Sequence, residues 1–308
     1  MRALGVIFVC LQIAAAQPVL NRNLGTVKPG KGPAELHVVA FGDWGYRGAQ
    51  SGQQSVAAAI GKLHAENPFH LGLLLGDNFY PAGVTSVDDP QWLELWENGY
   101  AKLGIPFFAS LGNHDYDGNE QAEIDYSKKS PVWKMPFNYY TFTAGPVQFF
   151  AIDTDEGNAG RFLFRPAWSD AQANWLDSEL SQSQASWKIV YGHHPIYSDG
   201  HHGDDGRLVA KLLPILIANK VDLYLCGHEH DLEFLERNGL QFVIAGGGGK
   251  DVRKVKPRRA EFAEGRNGFL DLSASAERLE FKLRGADGAA LFTKTRAQTR
   301  TARASPRR

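Results

Sequence analysis

The chain has 308 residues, 43% of them hydrophobic and 22% charged, with 33 Lys+Arg against 34 Asp+Glu and a formal net charge of −1. That length and apolar content suffice for a full core in one large α/β domain. The charge balance excludes the global basic excess of a nucleic-acid binder or an anionic-membrane binder. The basic stretch 297–308 lacks apolar periodicity and reads as a flexible tail.

Residues 1–16 carry one positive charge at Arg2, an apolar run over 3–16 and the small residues Ala14, Ala15 and Ala16 before Gln17. This is the pattern of a cleavable secretory signal, and its apolar part is too short to span a bilayer comfortably. Val9 before Cys10 lacks the small residue of a lipoprotein cleavage site. The mature chain is expected to be secreted or periplasmic, monomeric and without stable membrane insertion. Cys226 is then its one cysteine, so no intramolecular disulfide is expected. A Pro/Gly-rich lead covers 17–34, and a single domain is expected over 35–296.

Leu36–Phe41 reads as a buried strand that delivers Asp43. A helix is predicted over 51–66, with Val56, Ala59, Ile60 and Leu63 on one face. The strand 70–75 delivers Asp77, and 89–100 has helical spacing, with Trp92, Leu95, Trp96 and Tyr100 as a core-packing stripe. The strand 106–111 delivers Asn113 and His114, and 120–130 is a helix or loop. Strands at 147–152 and 187–191 flank a helix opened by Ser169 and running through Leu180. A helix over 208–219 buries Leu212, Leu213, Leu216 and Ile217 despite Pro214. The apolar run 221–226 ends at His228 and His230. Leu240–Ala245 and alternating stretches near Phe269, Phe281 and Phe292 extend the sheets. The glycines 246–249 read as a plain turn, lying where a wall of a site could form.

Five apolar runs end in glycine followed by a ligand-type residue: Gly42-Asp43, Gly76-Asp77, Gly112-Asn113-His114-Asp115, Gly192-His193-His194 and Gly227-His228-Glu229-His230. Taken singly, each is an ordinary turn or a satisfied histidine. Independent turns have no reason to place two Asp, an Asn and three His at successive strand ends, so the joint pattern points to metal binding. His228 and His230, two residues apart in an extended loop, can serve two different ions.

With Gly45 two residues after Asp43 and Tyr80 three after Asp77, these blocks resemble those of the purple acid phosphatases within the dimetal phosphoesterase superfamily. Segments such as 125–128 and 221–225 are similar to the small, mammalian-like, tartrate-resistant branch. Most superfamily relatives carry histidine where this chain has Gly45, and the gain of Tyr80 completes the purple-phosphatase signature.

The resemblance implies an α/β fold: a four-layer αββα sandwich of two mixed β-sheets flanked by helices, with ligands at one rim. It implies Asp43, Tyr80 and His230 at metal site one, Asn113, His193 and His228 at site two, and Asp77 bridging. Fe(III) is expected at site one and Fe(II), Zn(II) or Mn(II) at site two. Five positive charges would meet three anionic ligands and leave about +2, which attracts phosphate and acidifies bound water.

The implied activity is an exported acid phosphatase that hydrolyses small phosphate monoesters with a metal-bound hydroxide as nucleophile. Asn113, His114 and His202 would bind substrate, and His114 and His202 would take catalytic roles, His114 as donor to the leaving alkoxide. The neighbouring His201 leaves the His202 register open by one. The loop 154–166 is shorter than the animal protease-sensitive loop and lacks its cysteine, and Arg207 stands near the partner position, so activation by clipping is not expected. The alternatives are a phosphodiesterase on the same dimetal centre, acting on cyclic nucleotides or phospholipid headgroups, and an inert exported binding protein. The latter predicts lost ligands, and all seven are present.

Overall fold

The computed structural model describes residues 21–28, 35–49, 51–155 and 168–299. The signal at 1–16, the tail from 300 onwards and most of the loop after Asp153 lie outside the described residues.

Two mixed sheets form the centre. The first holds, side by side, Asn23–Thr26, Tyr140–Ala144, Val147–Ala151, Trp187–Tyr191, Leu223–Cys226, Leu240–Ala245, Leu232–Arg237 and Phe262–Glu264. The second holds Ala290–Ala297, Arg278–Gly285, Gly268–Ala274, Leu36–Phe41, Leu71–Leu75, Phe107–Ser110 and Trp133–Lys134. Each has parallel strands at its centre and antiparallel strands toward an edge. Within the lead, Asn23–Thr26 adds a parallel edge strand beside Tyr140–Ala144.

Period-2 alternation divides the core into layers. In the first sheet Phe149, Ile189, Tyr191, Leu223, Leu225 and Val243 pack toward the second sheet. Their neighbours Phe150, Val190, Tyr224, Cys226, Phe242 and Ile244 pack toward the helices Asp170–Gln182 and Gly206–Ala218, through Leu176, Leu180, Leu208, Leu212 and Leu216. Because both faces are covered, these central strands read as unbroken apolar runs. Across the sheet interface the Phe108 and Phe142 rings stack at 3.8 Å, and the Tyr140 hydroxyl donates to Ala109 O at 2.8 Å.

On the outer face of the second sheet lie the helix Gln53–Glu66 and a π-helix over Trp92–Tyr100. The expected stripe of Trp92, Leu95, Trp96 and Tyr100 is buried, with Tyr100 against Phe41 at 4.6 Å and Trp96 against Phe107 at 5.2 Å. The stretch 120–130 resolves into the helix Glu120–Tyr126. Ser169 caps its helix by accepting from the Gln172 amide. One expected core residue is misplaced: Ile217 is 41% exposed, because the last helical turn leaves it in a surface recess beside Lys220 and Arg296.

Candidate metal centre

Three adjacent parallel strands of the second sheet, Leu36–Phe41, Leu71–Leu75 and Phe107–Ser110, carry Asp43, Asp77 and Asn113 at their carboxyl ends. Two adjacent parallel strands of the first sheet, Trp187–Tyr191 and Leu223–Cys226, carry His193 and then His228 and His230. Carboxyl ends of parallel strands are the usual location for ligands in α/β sheets, and here two such rims meet. Gly42 N–H donates to Ala245 O at 2.8 Å, and His228 N–H donates to the Asp43 carboxylate at 2.9 Å.

The glycines act mainly through close approach and only in part by bending. Among the five block glycines only Gly76 has positive φ, at 81°. The left-handed backbone otherwise falls on the candidate ligands themselves, with φ of 58° at Asp43, 49° at Asp77 and 69° at His228. Non-glycine residues hold that conformation only where surrounding contacts enforce it, which makes it a common mark of functional sites. Gly42 lets two loops touch, since a Cβ there would lie 3.1 Å from Leu75 and 3.3 Å from Gly227 Cα.

Asp43, Asp77 and His193 offer ligand atoms within 4.8 Å of one another, all buried. The Tyr80 hydroxyl donates to both carboxylates, at 2.9 Å to Asp43 Oδ1 and 2.8 Å to Asp77 Oδ2, and lies 3.4 Å from His230 Nε2. The pairing of Gly45 with Tyr80 has a direct cause. Tyr80 N–H donates to Gly45 O at 2.9 Å, and a side chain at 45 would run into the Asn78 carbonyl. Bringing the tyrosine in therefore requires removing the side chain at position 45.

Backbone carbonyls set the histidine tautomers. His193 Nδ1 meets Leu75 O at 2.9 Å and His230 Nδ1 meets Asp251 O at 2.9 Å. A carbonyl accepts, so each Nδ1 bears a proton, which leaves Nε2 as the nitrogen that can ligate an ion. His193 Nε2 lies 3.2 Å from His228 Nδ1 and 3.4 Å from Asp77 Oδ2. Two nitrogens bound to one tetrahedral ion at about 2.0–2.1 Å stand roughly 3.3 Å apart, so this spacing suits a shared metal.

The electrostatics also favour a cation. Burial drives the Asp43 carboxyl well above its ordinary range, and neighbouring Asp77 adds to the rise. Burial and then the two aspartates push the Tyr80 phenol well up. Burial alone would lower the His193 imidazole, but the Asp77 carboxylate lifts it to about 10. Burial brings His230 down to about 4, with Arg253 adding to the fall. Crowded buried oxygens of this kind are relieved together by a positive ion. Asn113 Oδ1 is buried and lacks a hydrogen-bond partner among the described residues, as expected of an amide oxygen facing a metal. The residues fit the group that the sequence motifs imply.

His114 is half-buried at the mouth. Its N–H donates to Asp77 Oδ1 at 2.8 Å, its Nδ1 meets Pro81 O at 2.6 Å, and its ring lies 4.4 Å from the Tyr80 ring. His202 packs against His228 at 4.3 Å, and its Nδ1 lies 3.3 Å from Glu229. His201 is exposed and packs on His202, one ring further from His228.

Several supporting residues had no assigned role in the sequence. Asp115 accepts from Gly112, Asn78 and Phe79 N–H at 2.8, 2.8 and 3.2 Å, tying the second and third blocks together. Asn78 bridges onward, accepting from Trp44 Nε1 and donating to Glu123 at 2.9 Å. Buried Glu229 accepts from the amides of His201, His202 and Gly203 and so shapes the His202 loop. His194 packs on His228 at 4.3 Å, with its Nδ1 2.9 Å from the Thr154 hydroxyl. Their only sequence signal is adjacency to a ligand block. The glycines 246–249 do form a wall: Gly248 N–H donates to Gly42 O at 3.1 Å and Lys250 N–H to Asp43 O at 2.8 Å.

The calcineurin-like phosphoesterase family model matches residues 36–232. Purple acid phosphatase 3 of Arabidopsis thaliana is 34% identical over 282 residues, which is 82% of this chain and 75% of that one. Human tartrate-resistant acid phosphatase type 5 is 33% identical over 310 residues, 90% of this chain and 95% of that one. The chain belongs to the calcineurin-like phosphoesterases, in their purple acid phosphatase branch. Membership makes it, by class, a metal-dependent phosphomonoester hydrolase of a dimetal family.

Among solved structures, GAP50, described as the anchor in the inner membrane complex of Plasmodium, has a TM-score of 0.76 at 27% identity, covering 86% of this chain and 90% of that one. The yellow lupin purple acid phosphatase PPD1 has a TM-score of 0.65 at 18% identity over 85% of this chain and 53% of that one, a likeness of fold. No helix among the described residues of this phosphoesterase is long and apolar enough to cross a membrane.

Proposed function

We propose that this purple-acid-phosphatase-type chain is an exported, monomeric acid phosphatase whose signal at 1–16 is removed. It would hydrolyse small phosphate monoesters at a dinuclear Fe(III)–M(II) centre, with M being Fe, Zn or Mn. The observation that carries the reading is the convergence of Asp43, Asp77, Tyr80, His193, His228 and His230 at two meeting strand rims, together with the unpartnered Asn113 oxygen. Asp43, Tyr80 and His230 would hold the trivalent ion, His193, His228 and Asn113 the divalent one, and Asp77 would touch both. Hard anionic oxygens favour Fe(III), and the imidazole-rich set favours a divalent ion. Such a centre, when bound, neutralises phosphoryl oxygens and acidifies water.

The chain's own residues then orient and protonate. His114 Nδ1 is held to Pro81 O, so its Nε2 faces the site and donates a proton only when the ring is an imidazolium. Asn113 and His114 at the mouth, with His202 across from them, would contact the substrate phosphoryl group.

The anchoring role named for GAP50 supplies a second reading, a binding protein on this scaffold. Retention of all seven ligand residues favours catalysis. The discriminating experiment compares a nitrophenyl phosphate monoester with the bis-ester across pH. Preferential monoester turnover with an acidic optimum is expected. Preferential bis-ester turnover would make this a phosphodiesterase, and no turnover with two metals bound would make it a binding protein.

A further inference from the structure

A cavity of about 410 Å³ opens beside the metal centre, with His228, His202, His194 and Pro195 on the centre side and Arg207 and Asp205 beyond. Its position next to two site histidines makes it the space into which the alcohol half of a bound ester would project. The charges around it are mostly committed. Arg207 is paired with Asp205 at 2.7 Å, and Arg259 binds Asp204 at 2.7 Å and Asp199 at 2.9 Å. Lys250 holds Asp251 at 2.5 Å and lies over the Tyr46 ring at 3.6 Å.

Arg253 is the exception. Its Nη1 stands 3.3 Å from His202 Nδ1 and 3.4 Å from His228 O, two residues that line the cavity. Its nearest carboxylate, Glu229, is 3.9 Å away and already accepts from three backbone amides. The Nε and Nη2 groups of Arg253 have no hydrogen-bond partner among the described residues. The backbone that presents it is fixed to two proposed ligands. Arg253 N–H donates to His230 O at 3.1 Å, His230 Nδ1 meets Asp251 O at 2.9 Å, and Lys250 N–H meets Asp43 O at 2.8 Å. A guanidinium held this way keeps a planar pair of donors available for a carboxylate or phosphate.

We infer that Arg253 is a specificity-determining residue that binds a second anionic group on the substrate. The preferred esters are then small phosphate monoesters whose alcohol carries a carboxylate or phosphate close to the scissile oxygen. The inference rests on the phosphomonoesterase reading above. Hydrolysis itself is unchanged: water adds to phosphorus, the P–O ester bond breaks, and the leaving alkoxide takes the proton.

The test uses two esters of nearly equal size, 2-phosphoglycolate and ethyl phosphate, on the metal-loaded full chain at one pH and ionic strength. Wild type should show the higher kcat/KM for 2-phosphoglycolate. Arg253→Gln should lower the ratio of the two kcat/KM values by about tenfold, as loss of a charge-assisted hydrogen bond does, with both metals retained. Arg253→Lys should restore part of the ratio, and Lys128→Gln, an equal charge change at a distant exposed site, should leave it alone. Equal kcat/KM for the two esters in wild type, or a ratio unchanged in Arg253→Gln, overturns the inference alone. Turnover of neither ester by the metal-loaded wild type overturns the phosphatase reading and the inference with it.

Discussion

Tyr80 reaches the site because Gly45 leaves room for the chain segment that carries it, and its hydroxyl sits between two buried carboxylates. Burial and both aspartates hold its proton firmly, so phenolate forms there only against a strongly charged cation. Phenolate on Fe(III) absorbs visible light by charge transfer. The iron-loaded protein should therefore be coloured, and Tyr80→Phe should bleach it while the fold, followed by circular dichroism, is kept. A colourless iron-loaded wild type would remove Tyr80 from the ligand set. His114 makes a separate prediction. Its side chain touches the Pro81 carbonyl and the Tyr80 ring while its amide holds Asp77, so His114→Ala should keep both metals. Loss of the acid should slow alkyl phosphates more than nitrophenyl phosphate, because a basic alkoxide needs the proton more. Equal slowing of both would count against the acid role.

At the scale of elements, the strands were legible because both of their faces are buried, which writes continuous apolar runs between glycines. The edge strand Asn23–Thr26 was not, since its four mostly exposed residues carry no such pattern. Candidate ligands such as Asp77 and His228 stand next to their strand, so local order singles them out. Asp115, Glu123 and Arg253 act on groups 25 to 51 residues away in sequence, and no local pattern encodes that reach. A similar long-range tie joins three strands of the second sheet. Asp271 on Gly268–Ala274 meets His37 Nε2 at 2.8 Å and Arg284 Nε at 2.6 Å, both on neighbouring strands. Burial would raise this carboxyl, but His37 and Arg284 outweigh it and hold the pKa below the usual range. A depressed carboxylate contributes stability that is present above its unfolded pKa of about 3.9 and is lost as pH falls through the folded value. Asp271→Asn should cost about 2 kcal/mol near neutral pH by removing the carboxylate that faces buried His37 and half-buried Arg284. Chemical denaturation should show that difference shrinking below about pH 4. A pH-independent difference would mean that packing, and not charge, sets the cost.

For the whole molecule, the two sheets are joined face to face, and the proposed metal ligands come from both: Asp43, Asp77, Tyr80 and Asn113 from one, His193, His228 and His230 from the other. Metal binding should therefore also fasten the sandwich, raising the midpoint of thermal unfolding as any ligand of the native state does. Catalysis should need that shared centre. The decisive measurement is a titration of metal-stripped protein with iron and zinc, following nitrophenyl phosphate hydrolysis and bound metal together, in wild type and Asp77→Asn. Activity should be absent without metal, rise with the second equivalent in wild type, and stay near zero in Asp77→Asn with reduced metal content. Full turnover by the stripped protein, or normal turnover with two metals bound in Asp77→Asn, would contradict the dimetal assignment.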